Sequence, residues 1–221
     1  MPANKVDYKK KEKSFYMPGK KPELIEIPEM SFIMVDGKGD PNQESGEYPA
    51  AIELLYGLSY AIKMSKMGPG PLPGYFEYVV PPLEGLWWME GSSGIDRERK
   101  HLFRWTSMIR QPEFVDEGIF RWACGELKKK KPMLDVSKAY FATWKEGLCV
   151  QMMHMGSYDA EPATIFQMEQ YIETHQLING ITEEKDGRIR RHHEIYLSDP
   201  RRTKTENLKT VIRIPVRKKT D

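Results

Sequence analysis

A chain of 221 residues, 39% hydrophobic and 30% charged, suits one large globular domain or two small ones and excludes a disordered polymer. With 34 Lys and Arg against 32 Asp and Glu, the net charge of +2 provides no field strong enough to hold a nucleic-acid backbone or an anionic membrane. Apolar runs stay below about ten residues where a spanning helix needs about 20, and no apolar segment follows the basic N-terminus as in a signal peptide, so a cytoplasmic protein without nucleic-acid or membrane partners is expected.

Residues 1–21 carry seven lysines between Lys5 and Lys21 without apolar periodicity, which predicts a flexible basic tail. Leu24 to Ile27 and Phe32 to Val35 are short runs of strand formers that end at the turn Asp36-Gly37-Lys38-Gly39-Asp40-Pro41. After Pro49, the spacing of Ile52, Leu55, Leu58 and Ile62 predicts a helix, stopped by Gly68-Pro69-Gly70-Pro71. Tyr75 to Val80 and Leu86 to Met89 read as strands, followed by a turn at Gly91-Ser92-Ser93-Gly94. A helical connector is expected over about 95–131: Leu102, Trp105 and Ile109 mark one face, and Val115, Ile119 and Trp122 mark another that ends in Lys128 to Lys131. Strands at Ala139 to Trp144 and Leu148 to Met155 flank Gly147 and lead to the turn Gly156-Ser157-Tyr158-Asp159. A helix from Pro162 presents Ile165, Met168 and Ile172, and strands follow at about His192 to Leu197 and Lys209 to Pro215.

Strand, Gly-containing turn, helix and two strands thus occur twice. Asp36 to Asp40 lies over Met155 to Asp159, Pro49 over Pro162, and Tyr75 to Val80 over His192 to Leu197. The expected fold is one α+β domain over residues 22–217, built from duplicated βαββ units at about 28–90 and 137–216. Pseudo-twofold symmetry should relate them, with antiparallel sheets, helices on one side and a ligand cleft on the other.

The duplication, together with His154 to Asp159, Glu194-Ile195-Tyr196-Leu197-Ser198-Asp199-Pro200 and Val211 to Val216, resembles the GyrI-like small-molecule-binding domain family over roughly residues 22–217. Pro82-Leu83-Glu84-Gly85-Leu86-Trp87-Trp88 is further similar to its stand-alone cyclopropanoid cyclopropyl hydrolases. That resemblance implies opening of the strained ring of DNA-alkylating natural products inside an aromatic cage. Other members sense drugs for transcription regulators, but the segment before the first strand is too short for a helix-turn-helix, so a fused regulator is not expected.

All five tryptophans fall between positions 87 and 144, and a cleft of aromatic faces with a buried carboxylate suits planar, aromatic or lipophilic cationic molecules. Period-two alternation puts Glu77 with Tyr75, and Glu194 with His192 and Tyr196; the repeat makes Glu77 and Glu194 symmetry mates. Glu194 and Trp88 are the candidate catalytic residues, with Glu77, Tyr75, Trp87, Trp105, Tyr140, Trp144, Tyr158 and Tyr196 as ligand-binding candidates. Of Trp87 and Trp88, one should point to the cleft and the other under a helix. No metal or cofactor is expected, since His101, His154 and His175 have no ligand-spaced companions and His192 and His193 point to opposite faces. Cys124 and Cys149 lack Cys-x-x-Cys spacing and read as buried free thiols. Two readings stay open: a metal-independent hydrolase of xenobiotics, and a binder that sequesters planar lipophilic cations unchanged. Monomer and dimer are not distinguished.

Overall fold

Strands that alternate around two apolar faces need a layer on each, and this chain supplies one by closing its sheet and the other by helices. The computed structural model describes residues 5–68, 70–90 and 96–219; Pro69 and the expected turn at Gly91 to Gly94 lie outside the described residues. In chain order the elements are α1 (Tyr8–Lys11), α2 (Lys13–Tyr16), β1 (Glu23–Lys38), α3 (Glu47–Lys63), β2 (Leu83–Met89), β3 (Phe103–Arg110), α4 (Glu117–Lys130) and β4 (Ala139–Met155). Then come α5 (Glu161–Thr174), β5 (Leu177–Asn179), a hairpin of β6 (Glu184–Lys185) and β7 (Arg188–Ile189), β8 (His192–Tyr196) and β9 (Lys209–Lys218). The strands run in the order β4-β1-β3-β2-β8-β9-β5, and pairing of β4 with β9 closes a six-stranded antiparallel barrel. No helix of the described residues is long and apolar enough to cross a membrane.

The two halves are β1-α3-β2-β3 and β4-α5-β8-β9, joined by antiparallel pairing of β1 with β4 and of β2 with β8. Gly39 (φ 99°) donates its N–H to Phe103 O, and Gly156 (φ 122°) donates to Leu208 O, so one left-handed turn recurs in each half. Carried through the strand registers, this equivalence makes Trp87 the counterpart of Tyr196 and Glu84 that of His193, and puts the facing pair Gly85 and Glu194 on the pseudo-twofold axis.

Three expectations are corrected. Tyr75 to Val80 is outside the sheet, where Tyr78 makes an isolated bridge to Val6 of the N-terminal segment, so the counterpart of β8 is β2. Its resemblance to His192 to Leu197 was one of residue types without shared position. Leu102 to Ile109, read as helical, supplies β3 at the centre of the first half: Phe103, Trp105 and Ile109 pack under α3 and α4, while Met108 faces the barrel interior. With both faces buried, the alternation that identifies a strand is lost and an accidental helical spacing remains. The N-terminal segment, expected to be loose from residue 1 to 21, is packed from residue 5 onward: Tyr8 and Tyr16 are buried, Arg110 lies 4.3 Å over the Tyr8 ring and pairs with Glu12, and Gln151 and Arg213 donate to the carbonyls of Ser14 and Phe15.

Helix α3 buries Leu54, Leu55, Leu58 and Ile62 against the outer face of the first half, with α4 beside it. Asp116 caps α4 by accepting from Ile119 N at 2.8 Å, and its lysine-rich end is where the sequence predicts it. Helix α5 covers β4 and β9 through Met168 and Ile172. Both cysteines are free; Cys149 is buried inside the barrel and Cys124 half-buried.

Candidate functional site: an aromatic cleft on the pseudo-twofold axis

A cleft of about 1040 Å³ opens over β2 and β8 where the two halves meet, a volume that fits a drug-sized molecule. Tyr48 and Tyr56 of α3 and Trp87 of β2 form its aromatic wall, and Tyr158, Glu161, Glu194 and Tyr196 face them from the second half. The Tyr48 ring lies 5.4 Å from Trp87 and meets Trp105 edge-on at 5.1 Å, while Tyr158 meets Tyr196 edge-on at 5.8 Å. Such tilted and edge-on contacts hold rings at fixed angles and leave faces open to a flat ligand.

A hydrogen-bond relay crosses the axis. Trp87 Nε1 donates to the Tyr196 hydroxyl at 2.8 Å, and that hydroxyl donates to Glu194 Oε2 at 2.8 Å. His192 Nε2 lies 3.1 Å from the other oxygen of Glu194, so the carboxylate is held from both sides. Period two explains the grouping: His192, Glu194 and Tyr196 share the outer face of β8, and Trp87 shares that of β2. Burial, and then the charge of Glu194, pushes the Tyr196 hydroxyl well above its ordinary pKa; the same two causes push Tyr158 up to about 12. Both phenols are therefore proton donors at neutral pH.

Gly85 faces Glu194 and leaves the space through which the relay passes. A Cβ there would lie 2.7 Å from Trp87 Nε1 and 3.1 Å from the Tyr196 hydroxyl. Gly85→Ala should displace both groups and weaken binding of a planar cation by about tenfold or more, because sub-ångström misplacement is expensive in a preorganised site. Titration calorimetry with unaltered affinity would show that the relay does not shape the cleft.

Of the residues singled out in the sequence, Glu194, Trp87, Tyr158 and Tyr196 come together here. Trp105 sits behind Tyr48, fully buried in the core. Trp88 points to the opposite face of β2 and, with Tyr140 and Trp144, lines a second recess at the mouth of the barrel, so it does not share a site with Glu194. Tyr75 packs on Phe114 and donates to Lys63 O at 2.9 Å, while Glu77 pairs with Lys66; neither lines the cleft. Sequence reasoning missed Tyr48, Glu161 and His192. The signal lay in the repeat: Tyr48 and Glu161 each precede the first-turn proline of their helix, Pro49 and Pro162.

One ligand atom from each of Glu161, His192 and Glu194, all buried, lies within 4.8 Å of the others, a donor set able to hold a divalent cation. The sequence weighed His192 only against His193, whereas here its companions are Glu194 two residues along β8 and Glu161 at the start of α5.

The family profile of the GyrI-like small molecule binding domain matches residues 20–217. An uncharacterized conserved protein from Listeria innocua shares 50% identity and a TM-score of 0.88, covering 96% of this chain and 100% of that one. Two structures described as hydrolases from Listeria innocua share 47% and 48% identity with TM-scores of 0.84 and 0.86, covering 96% and 97% of this chain and 100% of each of theirs. No curated protein matches the chain.

Proposed function

The chain belongs to the family of GyrI-like small-molecule-binding domains, and from that premise we propose that it is a xenobiotic hydrolase acting on planar, aromatic or lipophilic cationic molecules, with the cyclopropane ring of DNA-alkylating natural products as its target. The observation that carries this reading is the relay from Trp87 through Tyr196 to Glu194, because it fixes a buried carboxylate within an aromatic cleft. The similarity to two hydrolases supports a reaction beyond mere capture.

In this reading the aromatic wall takes the flat body of the substrate and Glu194 supplies the countercharge for a cation. Glu194 also orients a water molecule and accepts its proton. The water oxygen bonds to the strained ring carbon, the adjacent ring bond breaks, and its electron pair passes into the conjugated carbonyl. Tyr158, which its raised pKa keeps as the neutral phenol, donates a hydrogen bond to the oxygen that becomes anionic, and the proton held by Glu194 then passes to that oxygen to complete the addition of one water. Strain in the ring and fixed positions of the reactants provide the driving force and most of the rate.

Incubation of the purified protein with a cyclopropane-bearing alkylator should yield the ring-opened hydrate, heavier by one water, as read by liquid chromatography and mass spectrometry. The assay is run with and without a chelator: turnover that survives assigns water activation to the carboxylate, and turnover that is lost assigns it to a cation held by Glu161, His192 and Glu194. Recovery of the compound unchanged from a tight complex would make the protein a sequestering binder.

A further inference from the structure

We propose that the recess at the barrel mouth is a second small-molecule site, separate from the cleft, which binds a planar aromatic carboxylate between the Trp88 and Trp144 side and the guanidinium groups of Arg188 and Arg191. The recess measures about 540 Å³, within the range of sites for small organic ligands. It faces the inside of the barrel, while the cleft lies over the outer faces of β2 and β8; alternation along β2 sends Trp87 to one and Trp88 to the other.

Its charges are unevenly matched. Asp36 accepts from the hydroxyls of Thr106 at 2.6 Å and Tyr140 at 3.1 Å, Glu90 pairs with Arg104 at 2.9 Å, and Glu47 accepts from Lys38 N at 3.2 Å. Every carboxylate of the lining is thus engaged. Arg188 and Arg191 pair with no carboxylate among the described residues. The Arg191 guanidinium lies 4.6 Å from the Trp88 ring centroid, and Arg188 extends far enough inward to reach the sulfur of Met34 at 3.6 Å. Partial burial holds the Arg191 pKa below its usual value, with no carboxylate opposing that effect.

Arginine kept partly out of water without a counter-ion is costly unless an anion completes it, and its planar fork matches a carboxylate. The aromatic part of the ligand follows from the wall: Trp88, Trp144, Tyr140 and Leu86 offer ring and aliphatic surface beside the two charges. The backbone that carries both arginines is anchored by Arg190, next to Arg191, which is buried and donates to the carbonyls of Val216 at 3.0 Å, Glu146 at 3.1 Å and Leu148 at 2.6 Å. The hairpin of β6 and β7 is thereby anchored at its C-terminal end and carries Arg188 and Ile189 over the mouth.

Titration calorimetry with 2-naphthoate, its neutral isostere 2-naphthamide and 2-naphthylmethylammonium tests the site. The expected result is saturable binding of 2-naphthoate that Arg188→Gln and Arg191→Gln each weaken by tenfold or more, while the amide changes by less than about twofold and Glu194→Gln leaves the naphthoate affinity unaltered. Arg191→Lys, which keeps the charge and loses the stacked plane, should fall between wild type and Arg191→Gln. Thermal melts of each variant establish that it is folded. No saturable binding of naphthoate, equal losses for acid and amide, or a loss with Glu194→Gln in place of the arginine variants would each overturn the proposal.

Discussion

Glu146→Gln should destabilise the protein by about 3–5 kcal/mol near pH 6, because removal of one member of a buried charge network leaves its partners uncompensated. Inside the barrel, Glu146 Oε1 lies 3.0 Å from His193 Nδ1 and Oε2 lies 3.1 Å from Arg213 Nη1, while His193 Nε2 lies 3.0 Å from Glu84 Oε2. Burial alone would raise the Glu146 pKa, but the His193 and Arg213 charges outweigh it and hold the carboxyl at about 2. Burial alone would lower that of His193, yet Glu146 and then Glu84 raise it to about 9.

The signs give two separate windows of pH. A raised histidine pKa contributes stability that is complete below its ordinary value of 6.5 and is lost as pH rises toward about 9. A depressed carboxylate contributes stability that is complete above 4.5 and is lost as pH falls toward about 2. The denaturant midpoint should therefore be highest between those limits and fall on the alkaline side, with the alkaline fall absent in His193→Gln. A wild-type midpoint that stays level from pH 6.5 to 9 would mean that His193 is neutral in the barrel.

Those four charges illustrate what a linear reading reaches and what it does not. Glu84 and Glu146 occur in runs that look like ordinary strands, and nothing local announces that both point inward; pairing of β2 with β8 brings Glu84 to His193, and closure of β4 on β9 brings Glu146 there. The same closure hid the direction of Trp88, Tyr140 and Trp144, because a barrel interior and a helix-covered exterior are equally apolar. What was legible was local or repeated. The α3 and α5 periodicities, the two glycine turns and the alternation of His192, Glu194 and Tyr196 each follow from spacing alone. In α4 the helix and its lysine-rich end were legible, but Trp122, expected on the face of Val115 and Ile119, is exposed, and Phe120, Ala123 and Leu127 are buried with Ile119. The pairing of halves was legible too, although Tyr75 to Val80 displaced β2 in it, and with that error Glu77 was matched to Glu194 where the position opposite is Gly85.

Glu194→Gln should lower turnover of a cyclopropane-bearing substrate by about 10²- to 10³-fold, more than it weakens binding. The amide has nearly the shape of the carboxylate and can still accept from Tyr196, so the fold and the aromatic wall should persist. What it lacks is the capacity to take a proton from water and the countercharge for a cation. Single-turnover rates should accordingly fall for every substrate, whereas affinity should fall by tenfold or more for a lipophilic cation and by less than about twofold for a neutral analogue of the same shape. Trp87→Phe, which removes the donor to Tyr196 and keeps most of the ring surface, should reduce the rate with a smaller effect on affinity. Trp88→Ala is the control that separates the two faces of β2: it should leave this reaction unchanged, since its side chain lines the barrel mouth and not the cleft. Equal turnover by wild type and Glu194→Gln would confine the relay to holding the two halves together along their axis, and loss of turnover with Trp88→Ala alone would move the chemistry to the other side of the sheet.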